Sequence, residues 1–69
     1  MKEILINEEY IRLCDAMKLS GEAETGGIAK LLILDGLVEV NGEVCIMKGK
    51  KLYQNDTFSF DGSSYRIVR

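Results

Sequence analysis

Between Glu24 and Asn41 the chain changes its period from helical to extended, and that switch limits it to folds in which a helix feeds directly into a β-hairpin. Thr25 is suited to cap a helix at its N-terminus, and Gly36 falls where a left-handed C-terminal residue is usually found. Within this helix Ile28, Leu31, Leu32 and Ile33 form a broad apolar surface expected to be buried, with the first turn and Lys30 toward solvent. Leu37 is placed to pack back on Leu32. The period then becomes two: Val38 and Val40 alternate with Glu39, and Asn41-Gly42 is a tight-turn signal that returns the chain into Val44 and Ile46.

The flanking segments fit the same plan. Glu3 to Ile6 reads as a short first strand, after which Asn7 can cap a first helix with Glu8 and Glu9 in its first turn. Tyr10, Leu13, Cys14 and Met17 share one face of that helix, which Ser20 and Gly21 end. After the hairpin, Leu52 and Tyr53 suit a strand and Gln54-Asn55-Asp56 a turn. Phe58 and Phe60 form an inward face alternating with Thr57 and Ser59. Asp61-Gly62 marks a second tight turn, and Ser64 to Val68 a last strand. The expectation is an α+β fold, two helices packed on one side of a small antiparallel sheet, forming one domain over residues 1–69.

A chain of 69 residues is near the size at which burial only just outweighs chain entropy, so its work is expected on a surface and not in a deep cavity. Two cysteines far apart in sequence and no histidine exclude the common zinc patterns and histidine-activated nucleophiles. Asp15, Asp35, Asp56 and Asp61 lie in a helix or in turns, where local capping explains them; no catalytic residue, metal or cofactor is expected. Cys14 and Cys45 read as small buried hydrophobes that stay reduced. The longest apolar run, Ile28 to Leu34, is broken by Lys30 and falls short of the roughly 20 residues of a membrane span. A basic, then apolar leader is also missing, so the expected setting is the cytoplasm, away from membranes, as a monomer.

The remaining chemistry concerns anions. Gly26 and Gly27 after Thr25 leave backbone N–H groups unshielded at a helix N-terminus, where orphan donors and the macrodipole favour an anion such as phosphate. The same residues also make an ordinary helix start. The formal net charge is −2, but its distribution is uneven: residues 1–43 carry nine acids against four bases, whereas residues 44–69 carry five bases against two acids. Lys48, Lys50 and Lys51 crowd one Lys-Gly-Lys-Lys segment, which either meets an anionic partner or simply keeps a loop soluble.

Taken together, the helix, the Asp-Gly-Leu-Val-Glu-Val-Asn-Gly-Glu hairpin and the Gly-Lys-Lys-Leu-Tyr-x-x-Asp segment resemble a small stand-alone bacterial S4 domain over about Arg12 to Phe60. This resemblance implies an S4-like (αL) fold that presents a basic surface to structured RNA, ribosomal or transfer RNA, and an accessory role on ribosomal particles. By position, Thr25 takes the place of the family's serine opening the second helix, Lys30 that of a basic residue one turn in, and Asn41-Gly42 that of its hairpin turn. Lys48, Lys50 and Lys51 fall in the segment that often carries RNA-facing bases, and Arg12 and Lys18 match positions on the first helix that are frequently basic. Arg12 also stands where it can pair with Glu8 or Glu9. The chain departs from the pattern at Gly26, where longer members often carry an arginine, at Cys14, where an aspartate is common, and at Asn55, which replaces a turn glycine.

The resulting expectation is shape- and phosphate-directed RNA binding through Thr25, Gly26, Gly27, Lys30, Lys48, Lys50 and Lys51, with Arg12 and Lys18 ranked below them. Tyr10, Tyr53, Phe58, Phe60 and Tyr65 are spaced as core or strand residues, so no aromatic platform for single strands is expected. The alternative is a protein-interaction module on a larger assembly, using the acidic first helix and the apolar Leu32 to Leu37 region.

Overall fold

The computed structural model describes residues 1–69. Its elements are β1 (Lys2–Leu5), β2 (Tyr10–Arg12), α1 (Leu13–Leu19), α2 (Gly26–Leu34), β3 (Val38–Val40), β4 (Glu43–Val44), β5 (Lys51–Tyr53), β6 (Thr57–Phe60) and β7 (Ser63–Val68). Five strands form one sheet in the order β1-β7-β6-β3-β4, and β2 and β5 form a separate two-stranded ribbon. The α+β class and the pair of helices agree with the sequence reading. The sheet, however, is mixed: β1 lies parallel to β7, with Lys2 opposite Tyr65 and Leu5 opposite Val68, while its other pairings are antiparallel.

The α2 segment follows its sequence signals closely. Thr25 Oγ1 accepts a hydrogen bond from Ile28 N at 3.1 Å, which satisfies one of the first-turn donors. At the other end Gly36 has φ +77°, its N–H donates to Ile33 O, and Leu37 N–H donates to Leu32 O. This paired closure returns the last carbonyls of the helix to partners and turns the chain into β3. Asn41 and Gly42, at φ 51° and 88°, make the two-residue turn whose twist matches the strands it joins. Asp61 and Gly62 repeat that conformation between β6 and β7.

The core draws on every layer. Leu13, Ala16 and Met17 of α1 and Ala29 and Ile33 of α2 pack with Ile4, Val38, Val40, Phe58, Tyr65 and Ile67 of the large sheet and with Leu52 of the ribbon. Phe58 and Tyr65 are direct cross-strand partners whose rings stack at 4.9 Å between centroids. Strand alternation is clean, as Val38 and Val40 are buried and Glu39 between them is exposed.

Three expectations need correction. The first helix does not start at Asn7; Tyr10–Arg12 is a strand paired antiparallel with Lys51–Tyr53, and α1 begins at Leu13. The aromatic and β-branched Tyr10 and Ile11 suit a pleated surface, and long-range pairing with β5 overrides the local cap signal of Asn7. On α2 only Ala29 and Ile33 are buried, and Ile28, Leu31 and Leu34 face outward, Leu31 at 64% exposure. This short helix packs mainly on α1, which covers one narrow stripe and leaves the opposite face bare. Finally, β4 stops at Val44, and Ile46 lies outside the strands and is exposed.

Candidate functional site

The basic segment is positioned by α1. Arg12 at the N-cap of this helix offers no side-chain cap, and the orphan donors of the first turn are met instead by carbonyls of the lysine loop. Leu13 N–H donates to Lys50 O at 2.8 Å and Cys14 N–H to Lys48 O at 3.1 Å. Between them Lys50 N–H donates to Met47 O, closing a turn with Lys48 and Gly49 at its tip. Arg12 Nη1 donates to Gly49 O at 3.3 Å, so the guanidinium joins the loop and not Glu8 or Glu9. Lys48 O and Lys50 O are turned to α1, and the side chains of Lys48, Lys50 and Lys51 are all exposed.

This arrangement brings together Arg12, Lys48, Lys50 and Lys51, four cations drawn from two distant stretches of the chain. Arg12 is the direct cross-strand partner of Lys51. Like charges placed opposite one another repel unless an anion is shared between them. Lys48 and Lys50 flank the loop tip on either side of Gly49. Arg12, expected on the first helix, thus belongs to the ribbon that precedes it.

The first turn of α2 forms a second element. Ile28 N–H is taken by Thr25 Oγ1 and Ala29 N–H by Thr25 O, leaving the N–H groups of Gly26 and Gly27 without acceptors. A Cβ placed on Gly26 would meet nothing within 4 Å, and one on Gly27 only Thr25 Oγ1 at 3.8 Å. Neither glycine is held there by backbone strain or crowding. Lys30 is exposed one turn on. The hydrogen bonds of the lysine loop run to α1 and to Arg12, and none joins it to this first turn. Lys18 lies apart from both, in the last turn of α1, beside a shallow groove shared with Ile11, Asp15 and Leu19.

Sequence spacing hid one constellation. Tyr10 and Tyr53 are direct partners across the ribbon, with ring centroids 5.8 Å apart, and they lie beside Arg12 and Lys51. Their sequence separation obscured this, because only the pairing of β2 with β5 makes them neighbours; the prediction of a helix from Asn7 had sent Tyr10 toward the core. Of the other aromatics, Phe58 and Tyr65 are buried and Phe60 is half-buried. Cys14 and Cys45 are free and half-buried. Neither helix is long and apolar enough to cross a membrane.

Comparison with known proteins bears on this geometry. The family model described as S4 domain matches residues 4–68. The chain is 41% identical over 59 residues to Escherichia coli (strain K12) "Putative RNA-binding protein YbcJ", covering 86% of this chain and 84% of that one. It is 35% identical over 66 residues to Bacillus subtilis (strain 168) "Probable ribosome maturation protein RlbA", covering 94% and 93%. The solution structure of E. coli YbcJ, described as revealing an αL motif involved in RNA binding, superposes with a TM-score of 0.75. That match has 36% identity and spans 100% of this chain and 89% of the other.

Proposed function

The chain belongs to the S4 domain family, and we propose that it binds structured RNA through backbone phosphates, as an accessory to ribosome assembly or translation in the cytoplasm. The observation that carries this reading is the joining of Arg12, Lys48, Lys50 and Lys51 into one exposed basic surface despite a net charge of −2. Local concentration of charge, more than the total, governs a polyanion's approach at short range. The names of YbcJ and RlbA support an RNA partner and, for the second, a ribosomal one.

In this reading the lysine loop and Arg12 contact phosphates on one side, and the free Gly26 and Gly27 amides with Lys30 contact another stretch of backbone. Thr25 fixes the helix start that orients those amides, and Lys18 contributes at the margin. The protein acts as a monomer on ribosomal or transfer RNA, including ribosomal particles. The test is binding of the purified protein to total structured RNA across a salt series, followed by crosslinking to identify the RNA. Four or five phosphate contacts give a slope of log affinity against log salt of roughly −3 to −4.5. A flat response would exclude phosphate-directed binding.

Gly26 supplies a gain-of-function prediction. Longer members of the family often carry an arginine here, and the open space around this glycine admits one without displacing a neighbour. Gly26→Arg is expected to strengthen RNA binding about three- to tenfold and to steepen the salt slope by about 0.7–0.9, as one added phosphate contact requires. Titration of the variant beside the wild type at several salt concentrations measures both.

A second reading retains partial support. Leu31, Leu34 and Leu37 are all more than half exposed, as a protein-binding face would require. The acidic helix invoked beside them does not form, since Glu8 and Glu9 precede β2 and α1 carries only Asp15 and Lys18 as charged residues. Association that survives loss of the lysines but fails in Leu31→Asp would favour it.

A further inference from the structure

We propose that the outer face of the β2–β5 ribbon is a stacking site for an unpaired nucleotide of the bound RNA, with Tyr53 as its platform. This proposal rests on the RNA-binding reading and adds to it a preference for RNA with an extruded base. Alternation along the two strands turns Ile11 and Leu52 inward, Leu52 to full burial, and leaves Tyr10, Arg12, Lys51 and Tyr53 together on the other face. Cross-strand register sets Tyr10 against Tyr53 and Arg12 against Lys51, giving a square of two rings and two cations.

The cations are not distributed evenly over the rings. Lys51 Nζ lies 4.8 Å from the centroid of Tyr10, and Arg12 Cζ lies 5.7 Å from the same centroid. Tyr10 is therefore occupied by the two charges and half-buried, while Tyr53 remains 43% exposed with no cation over its ring. The rings are tilted by 50°, so Tyr10 braces Tyr53 from the side and does not cover it. The Tyr53 backbone is fixed as well, its N–H donating to Asp56 Oδ2 at 2.7 Å. A fixed, exposed ring beside two cations meets the needs of a nucleotide, since the base stacks on the π-face and the phosphate reaches the charges.

Charge also sets the direction from which RNA arrives. On their other side Tyr10 and Arg12 border a groove whose remaining charged residues are Glu8, Glu9 and Asp15, which repel a polyanion. On the β5 side the chain runs back to the Lys48–Lys50 turn. The phosphates flanking a base on Tyr53 thus lead toward the basic loop and away from the acidic groove. A paired base, held within its own helix, has no exposed face to offer this ring, so duplex RNA alone leaves the platform unused.

The probes are a short RNA duplex and the same duplex with one bulged 5-iodouridine, titrated against wild type, Tyr53→Ala and Tyr53→Phe. Wild type is expected to prefer the bulged duplex about tenfold, the range of one base–aromatic stack. Tyr53→Ala erases that preference while keeping its affinity for the plain duplex, and Tyr53→Phe retains it. Irradiation of the wild-type complex crosslinks the iodouridine to the peptide containing Tyr53. Equal affinity of wild type for both duplexes, an unchanged preference in Tyr53→Ala, or a crosslink elsewhere would overturn the stacking site and leave RNA binding intact. No binding of either duplex at low salt would overturn both readings. The exposed position of Tyr53 allows both variants to fold, and their far-ultraviolet circular dichroism checks it.

Discussion

Replacing Lys48, Lys50 and Lys51 together by Glu is expected to weaken structured-RNA binding by about a hundredfold or more, at near-physiological salt. The three side chains are exposed, with Lys51 alone resting over the Tyr10 ring; their segment is held by main-chain N–H donors of Leu13 and Cys14 bonded to Lys50 O and Lys48 O, which the substitution does not touch. Binding and stability are thereby separable at this site. Loss of three phosphate contacts should also flatten the salt slope by about 2 to 3. Lys18→Glu makes the comparison, because it reverses a charge outside the basic cluster and should change affinity far less. Retained affinity in the triple variant, with an unchanged melting profile, would remove the basic loop from the interface.

The second large effect concerns the core. Phe58→Ala removes a ring only 1% exposed that stacks on Tyr65 and faces Val40 across the β3–β6 register. Truncation of a buried phenylalanine costs about 3–5 kcal/mol through lost transfer energy and the cavity left behind. A domain of this size rarely holds more than about 3–5 kcal/mol in total. The variant is therefore expected to be largely unfolded at 25 °C, giving no cooperative urea transition where the wild type gives one. Phe58→Leu, which fills most of the volume, should stay folded with a lowered midpoint. A wild-type midpoint in Phe58→Ala would mean that the Phe58–Tyr65 stack is not central to the core.

What the sequence revealed and what it hid divide along the range of the interactions. The α2 cap, the Gly36 closure and the Asn41-Gly42 and Asp61-Gly62 turns are each set by residues within a few positions of one another, and all were legible. The left-handed conformation at Asn55 belongs with them, at φ 77°. By contrast, the β2–β5 ribbon and the parallel β1–β7 edge depend on partners 39 or more residues away. Near Asn7 the local signals favoured a helix start, and only the distant pairing makes Tyr10–Arg12 a strand. The candidate site divides likewise. The lysine cluster and the glycine amides stand in short motifs, whereas the joining of Arg12, itself expected at lower rank, to the lysine loop and the meeting of Tyr10 with Tyr53 depend on that long-range pairing.

The parallel β1–β7 edge bears on how the chain reaches this structure. Lys2 sits opposite Tyr65, so the strand at one end of the sequence finds its only sheet partner at the other. Closing so long a loop carries a large entropic penalty before any contact repays it, while the β3–β4 and β6–β7 hairpins close over a few residues. The local hairpins are therefore expected to assemble before the β1–β7 edge. During synthesis Lys2–Leu5 emerges long before its partner, and its buried residue Ile4 stays unsheltered until Ser63–Val68 has followed it.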